Sequence, residues 1–69
     1  MPDIRLIVAG AGGRMGRTLV KAIGETPGLM LVGATEGEGS PFLSQDSGTL
    51  AGLPPNRVVV TSEVRPLAL

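Results

Sequence analysis

Residues 8–17 read VAGAGGRMGR, and their glycines are the strongest indication of the fold in this sequence. Its glycines at positions 10, 13 and 16 follow the spacing G-x-x-G-x-x-G. An apolar run, residues 4–9, precedes the stretch, and an amphipathic run, residues 14–25, follows its turn. A nearly continuous apolar run is typical of a strand covered on both faces, whereas a period near 3.6 is typical of a helix. The glycines are therefore predicted to form a tight turn between a strand and a helix.

The helix and the run after it complete a strand–helix–strand unit. The buried stripe of the helix is predicted to consist of Met15, Leu19, Ala22 and Ile23. Residues 29–34 are predicted to form a second strand, parallel and adjacent to the first, because ~98% of such crossovers are right-handed. These features predict an α/β fold, a Rossmann-type βαβ unit with a parallel sheet.

The rest of the chain carries weaker patterns. Residues 35–56 form a connection rich in Gly, Ser and Pro, and within it residues 47–53 are predicted to hold a short helical turn. A connection of this length without an apolar period is usually functional or disordered. The β-branched run 57–61 predicts a third strand. Ser62 is predicted to cap a short helix running from residue 63 towards residue 69.

Composition excludes several classes of function. The 69 residues include no Cys and no His, so neither a disulfide, nor a usual zinc site, nor any other metal site is predicted. The formal net charge of zero argues against nucleic acid as a partner. The apolar run 4–9 is far shorter than the ~20 residues that span a bilayer, and the start lacks the positive segment of a secretory signal. A cytoplasmic protein with a small-molecule partner is expected.

The glycine turn has the chemistry of a phosphate site. Gly10 permits the turn out of the strand, and Gly12 and Gly13 lack Cβ atoms that would keep a phosphate away from the backbone. Gly16 lets the helix pack close to the sheet. Free N–H groups of the first helical turn and the helix dipole then favour the pyrophosphate of a dinucleotide. The turn residues predicted to contact this cofactor are Gly10, Ala11, Gly12, Gly13, Arg14 and Met15.

Charged residues around the turn extend the predicted site. Glu36 follows the second strand, where this fold places an acid that binds the hydroxyls of the adenosine ribose. Glu38 is a competing candidate further into the loop. Among the basic residues, Arg14 is best placed to reach a phosphate, whereas Arg17 and Lys21 are expected on a solvated helix face.

The stretch 8–17 resembles the N-terminal signature of the dihydrodipicolinate reductases, and the resemblance continues through residues 26–34, 39–48 and 50–53. It implies a homotetrameric reductase of lysine and diaminopimelate biosynthesis that transfers a hydride from NADH or NADPH to a cyclic imine-like acid. It also implies that the glycine turn and Glu36 contact the cofactor. In many members an Arg follows this acid and pairs with the 2′-phosphate of NADPH. Gly37 stands at that position here, so NADH is expected to be favoured.

The resemblance further implies that residues 1–69 are the N-terminal portion of a dinucleotide-binding domain, truncated before the fourth strand. The substrate and catalytic domain, with the family's His-His and Lys motif, is expected to be absent from this chain, which has no predicted catalytic residue. In the strand order 3-2-1-4-5-6 the fourth strand covers the first, so the first is expected to present an unpaired edge. Three other interpretations of the sequence remain: another NAD(P)-dependent reductase, a non-enzymatic nucleotide-sensing module, and an inert fragment.

Overall fold

The structure is a computed structural model that describes residues 4–63. Its elements follow in the order β1 (Ile4–Ala9), α1 (Arg14–Glu25), β2 (Leu29–Thr35), α2 (Ser47–Leu50) and β3 (Val60–Thr61). The three strands form one sheet in the order β1-β2-β3, and both strand pairs are parallel. The predicted βαβ unit with a parallel sheet is confirmed.

The first strand and the first helix have the bounds predicted from the sequence, and β2 is one residue longer than predicted. The helix ends where Thr26 adopts an extended backbone and its N–H donates to the Ile23 carbonyl at 3.3 Å. Gly28 then takes a φ of +89°, a conformation that glycine adopts without a steric penalty. The chain thus reverses direction within three residues and enters β2 beside β1.

A small apolar core lies between α1 and the sheet. Its buried members are Val8, Ala11, Val20, Ile23, Ala34 and Val60. The helix buries Gly16, Val20 and Ile23, so only Ile23 of the predicted stripe is confirmed: Met15 is 77% exposed, Leu19 is 47% exposed and Ala22 is exposed as well. The reason is that Leu19 and Ala22 border a groove beside β1, on the side where no strand of residues 4–63 pairs with it.

The strand β1 is one of the two edge strands of the sheet. Within residues 4–63 no strand pairs with this edge, and Ile4 and Ile7 are 61% and 40% exposed. The apolar groove beside it runs between β1 and α1, and its lining includes Leu6, Leu19 and Ala22. The expectation that β1 is covered on both faces is therefore wrong for the described part of the chain. No helix within that part is long and apolar enough to cross a membrane.

The region after β2 departs most from the predictions. The third strand comprises only Val60–Thr61 instead of residues 57–61. Arg57 has a φ of +65°, and Val59 makes only an isolated antiparallel bridge with Asp46. The reason is that side chains, described below, bind the backbone N–H groups of residues 56–58. The predicted helical turn at 47–53 is confirmed as a four-residue helix, whereas the helix expected from residue 63 to 69 lies outside the described residues.

Candidate functional site

The glycine turn is fastened to the carboxyl end of β2. Gly10 has a φ of +70°, so the predicted need for glycine at the exit of β1 is confirmed. The N–H groups of Gly10 and Ala11 both donate to the Thr35 carbonyl, at 2.8 and 3.1 Å. These bonds bring the turn beside the residue that follows β2, which is Glu36. Ligands of open parallel sheets bind at this edge, the carboxyl ends of the strands.

Gly16 makes the closest backbone contact of the site. A Cβ atom at this position would overlap the Gly10 carbonyl oxygen and lie 2.7 Å from the Cα atom of Ala11. Only glycine therefore permits α1 to begin directly against the turn. The prediction that Gly16 allows close packing is confirmed, although its partner is the backbone of the turn itself.

The backbone N–H groups of the turn divide into two sets. Those of residues 10–13 are occupied, because Gly13 donates to the Gly10 carbonyl at 3.0 Å and Gly12 donates to a side chain. The first helical bond runs from the N–H of Arg17 to the Gly13 carbonyl, at 2.9 Å. The N–H groups of residues 14–16 precede it and have no intrahelical partner. Gly13 at the N-cap has no side chain that could bind them, so no N-cap side chain satisfies these three donors.

The acid predicted to bind ribose is bound to the glycine turn. The Glu36 Oε2 atom accepts a hydrogen bond from the Gly12 N–H at 2.7 Å, and the Glu36 N–H donates to the Thr61 carbonyl at 3.0 Å. The side chain is half-buried, and its Oε1 atom accepts no hydrogen bond from residues 4–63. Glu38 is exposed in the next loop. Of the two candidate acids, the structure brings only Glu36 to the turn.

Sequence reasoning missed Phe42, which lies against the turn. A Cβ atom on the buried Gly12 would overlap the Phe42 ring. The space that Gly12 leaves open, which was predicted for a phosphate, is therefore filled by an aromatic side chain. One signal in the sequence was available, since Phe42 is the sole aromatic residue of the chain. It could not reveal the contact partner 30 positions earlier.

The loop that carries Phe42 is held by a cluster of side chains that we call the Asp46 clamp, comprising Asp46, Ser47 and Asn56. The Asp46 carboxylate accepts from the backbone N–H groups of Thr49 at 2.8 Å, Asn56 at 3.2 Å and Arg57 at 2.8 Å. It also accepts from the Thr49 hydroxyl at 3.2 Å. The Asn56 Oδ1 atom accepts from the Ser47 hydroxyl at 3.1 Å. Thus Asp46 caps α2 and fixes the return of the chain towards β3.

The hydrogen bonds to the Asp46 carboxylate also change its pKa. Desolvation by burial raises the pKa of this carboxyl, but the backbone N–H groups of Thr49, Asn56 and Arg57 favour its charged form and lower the pKa below its ordinary value of 3.8. The lowering is a net effect of hydrogen bonding. The clamp is consequently formed by the ionised side chain.

Three cationic side chains lie on one face of α1. Arg14, Arg17 and Lys21 line a surface pocket of about 370 Å³ whose lining includes no carboxylate. All three are exposed, as expected for Arg17 and Lys21. The Arg17 side chain bends back, and its Nε–H donates to the Gly13 carbonyl at 3.4 Å. The amino end of α1 is therefore electropositive, since neither its N-cap nor its first turn supplies an acid.

The arrangement can bind an anion and a neighbouring diol. The uncapped N–H groups at the start of α1 and the exposed Arg14 guanidinium suit phosphate oxygens. The free Glu36 Oε1 atom suits a hydroxyl donor. Within residues 4–63 no group of three or more His, Cys, Asp or Glu side chains is placed to hold a metal ion.

Comparison with known proteins identifies the family. The family model described as "Dihydrodipicolinate reductase, N-terminus" matches residues 4–68. The chain belongs to the dihydrodipicolinate reductase family. The resemblance inferred from the glycine stretch is thereby confirmed, and it extends over nearly the whole chain.

Individual relatives support the same assignment. The chain is 59% identical over 64 residues to the 4-hydroxy-tetrahydrodipicolinate reductase of Rhodopseudomonas palustris strain BisB18. It is 61% identical over the same length to that of Afipia carboxidovorans and 55% identical to that of Bradyrhizobium diazoefficiens. Each match covers 93% of this chain and 24% of the relative. The chain therefore spans about a quarter of the length of these relatives.

Proposed function

We propose that residues 1–69 form the N-terminal portion of the dinucleotide-binding domain of a 4-hydroxy-tetrahydrodipicolinate reductase. The supporting observation is the hydrogen bond between Glu36 and Gly12, which joins the candidate ribose acid to the glycine turn. In this proposal the N–H groups of residues 14–16 and the Arg14 guanidinium bind the pyrophosphate. The Glu36 Oε1 atom accepts hydrogen bonds from the adenosine ribose. The other turn residues, Gly10 to Gly13, shape this surface.

The proposed cofactor is NADH or NADPH, with NADH favoured. A bound reduced nicotinamide would supply the hydride of the reaction. Gly37 follows the ribose acid, and no basic residue lies between Lys21 and Arg57 to meet a 2′-phosphate. A carboxylate next to that phosphate without a cation disfavours NADPH through like-charge repulsion. Arg14 is the one cation of the turn, and any affinity for NADPH would depend on it.

The activity of the whole protein is proposed from the family. It is the NAD(P)H-dependent reduction of 4-hydroxy-tetrahydrodipicolinate in lysine and diaminopimelate biosynthesis. The proposal places the substrate and catalytic domain outside this chain, so residues 1–69 alone are expected to be inactive. A homotetramer in the cytoplasm, with no nucleic-acid or membrane partner, is proposed on the family resemblance.

Titration of the protein at its natural length with NADH and NADPH by calorimetry tests the function and the preference together. Micromolar binding of NADH, with NADPH bound no more than equally well, is expected. Failure to bind either dinucleotide would refute the proposed function. Binding of NADPH tenfold or more tightly than NADH would refute only the preference.

Substitution of Gly37 sharpens this test. A Cβ atom at Gly37 would meet no atom within 4 Å, so a larger side chain fits there. Gly37→Arg is expected to raise the affinity for NADPH about tenfold, because a charge-assisted hydrogen bond contributes about 1.5 kcal/mol or more. Gly37→Gln, similar in length and uncharged, is the matched control and should leave the ratio of the two affinities nearly unchanged.

A further inference from the structure

Phe42 lies at the centre of a chain of contacts that ends at the candidate ribose acid. Its ring packs against Gly12, where even a single added methyl group would overlap it. Gly12 is buried, and its N–H donates to the Glu36 Oε2 atom at 2.7 Å. Gly12 is thus placed between the aromatic ring and the carboxylate. Any displacement of Gly12 towards the space that Phe42 occupies would lengthen or misdirect the bond to Glu36.

The segment around Phe42 is itself fixed on both sides. The Phe42 N–H donates to the Ser40 hydroxyl at 3.1 Å, and its carbonyl accepts from the Gln45 N–H at 3.2 Å. Two further bonds tie the segment to β3: the Ser44 N–H donates to the Val60 carbonyl at 2.8 Å, and the Val60 N–H donates to the Gln45 carbonyl at 2.9 Å. The ring is therefore held against Gly12 by a loop that is anchored to the sheet. The Asp46 clamp immediately follows this loop.

The Glu36 carboxylate has two oxygen atoms, and the hydrogen bond from Gly12 determines which of them stays available to a ligand. One oxygen of Glu36 is occupied by the Gly12 N–H, which leaves Oε1 with its orientation set. A fixed acceptor loses less conformational entropy on binding than a freely rotating glutamate does. Pre-orientation of this kind favours ligands that carry a hydroxyl pair at the right place over ligands that lack it.

We propose that Phe42 is a positioning residue for ribose recognition. By holding Gly12 in place, its ring orients the Glu36 carboxylate towards the 2′- and 3′-hydroxyls of an adenosine ribose. This inference rests on the proposed dinucleotide function and assigns Phe42 no contact with the reacting atoms. Its measurable consequence is a selective loss of ribose discrimination, beyond any loss of stability.

The test compares two nucleotides that differ only in those hydroxyls, ADP and 2′,3′-dideoxy-ADP. Their dissociation constants are measured by calorimetry on the protein at its natural length. The unmodified protein is expected to bind ADP about tenfold more tightly, since hydrogen bonds to a charged acceptor are involved. Phe42→Ala is expected to reduce this ratio to about threefold or less. Phe42→Leu, which keeps a branched apolar side chain of similar reach, should restore most of it.

Two further variants separate positioning from general destabilisation. Leu43 is the neighbouring apolar residue and packs against the core, so Leu43→Ala should lower stability while keeping the ratio. Glu36→Gln should lower the ratio, and the added change Phe42→Ala should then lower it no further. Phe42→Val carries the same test if Phe42→Ala does not fold.

The outcomes distinguish a failure of the proposed dinucleotide function from a failure of the positioning role of Phe42. If the unmodified protein binds neither ADP nor NADH, the proposed function fails. If it binds ADP with the expected ratio and Phe42→Ala keeps that ratio, the positioning role alone is overturned. Equal weakening of both nucleotides by Phe42→Ala would instead indicate direct contact between the ring and the ligand, and it too would overturn the positioning role.

Discussion

Two loops meet at the carboxyl edge of the sheet, and they are held in different ways. The conformation of the glycine turn, residues 10–16, depends on the absence of Cβ atoms: Gly10 takes a positive φ, and Gly16 lies directly against the backbone of the turn. The conformation of residues 40–57 depends on side-chain hydrogen bonds, because Asp46 and Asn56 accept from backbone N–H groups. Steric fit therefore stabilises the first loop, whereas hydrogen bonds to a charged side chain stabilise the second. They should respond differently to substitution and to pH.

The largest effect is expected at the steric contact. Gly16→Ala would place a Cβ atom on the Gly10 carbonyl oxygen, and backbone on both sides cannot move without displacing α1 from the turn. Overpacking costs typically 1–3 kcal/mol and more where nothing can yield, so a loss of about 3 kcal/mol in unfolding free energy is expected. Urea unfolding measures it, and dinucleotide affinity should fall as well.

Gly24→Ala is the matched control on the same helix. A Cβ atom at Gly24 would lie 3.2 Å from the Leu53 Cδ1 atom, which belongs to the end of a side chain and can move. Replacing a helical glycine by alanine gains up to about 1 kcal/mol. Equal destabilisation by both substitutions would show that α1 tolerates no added methyl anywhere, and the special role of Gly16 would be lost.

A smaller effect is expected in the loop that is held by hydrogen bonds. Asp46→Ala removes the N-cap of α2 and the acceptor for the N–H groups of Asn56 and Arg57. Loss of an N-cap costs about 1 kcal/mol, and this value is expected for the unfolding free energy. Asp46→Asn keeps one acceptor oxygen and should lose about half as much. A loss as large as that of Gly16→Ala would mean that both loops depend on the same contacts.

The pH dependence separates the two loops most cleanly. Because the pKa of Asp46 is lowered in the folded protein, its stabilisation is fully present above the ordinary value of 3.8 and is lost as the pH falls towards the folded value. The stability difference between the unmodified protein and Asp46→Asn should therefore be constant at neutral pH and shrink as the pH falls through 3.8 towards the lower pKa of the folded protein. The difference caused by Gly16→Ala should stay constant, since no ionisable group takes part. A difference for Asp46→Asn that does not change with pH would refute the ionised clamp.

The smallest effect is expected on the cationic face of α1. Lys21→Ala should change NADH affinity by less than about twofold at moderate salt, because an exposed side chain far from the turn contributes little. Arg14→Ala should lower the affinity for NADH several-fold, and the loss should be larger at low salt. Equal effects of the two substitutions in a calorimetric titration would show that the whole face, rather than the turn, binds the phosphates.

The comparison also shows which parts of the molecule were predictable. The strand β1, the turn and α1 were found from the sequence, because glycine sterics and apolar periodicity act over a few neighbouring residues. The place of Glu36 beside the turn was predictable because it follows from the length of a βαβ unit, whereas its role towards a ribose stays a prediction. The contact of Phe42 with Gly12 was missed, since it joins distant positions and leaves no periodic trace.

Two other predictions failed for physical reasons that the structure shows. The strand predicted at 57–61 comprises only Val60–Thr61, because Asp46 and Asn56 bind the N–H groups of Arg57 and Val58 and Arg57 takes a positive φ. Met15, Leu19 and Ala22 were predicted to be buried, but all three are exposed, and Leu19 and Ala22 border the groove beside the unpaired side of β1. β-propensity and helical period are weak priors that such specific contacts override.

In the proposed function Glu36, held by the glycine turn, binds the ribose of a dinucleotide. The most direct test is calorimetric titration of NADH into the protein at its natural length and into Glu36→Gln. The substitution retains an acceptor for the Gly12 N–H but removes the charge offered to the ribose hydroxyls. A loss of about tenfold or more in affinity, with little change in unfolding temperature, is predicted. An unchanged dissociation constant for NADH would contradict the account.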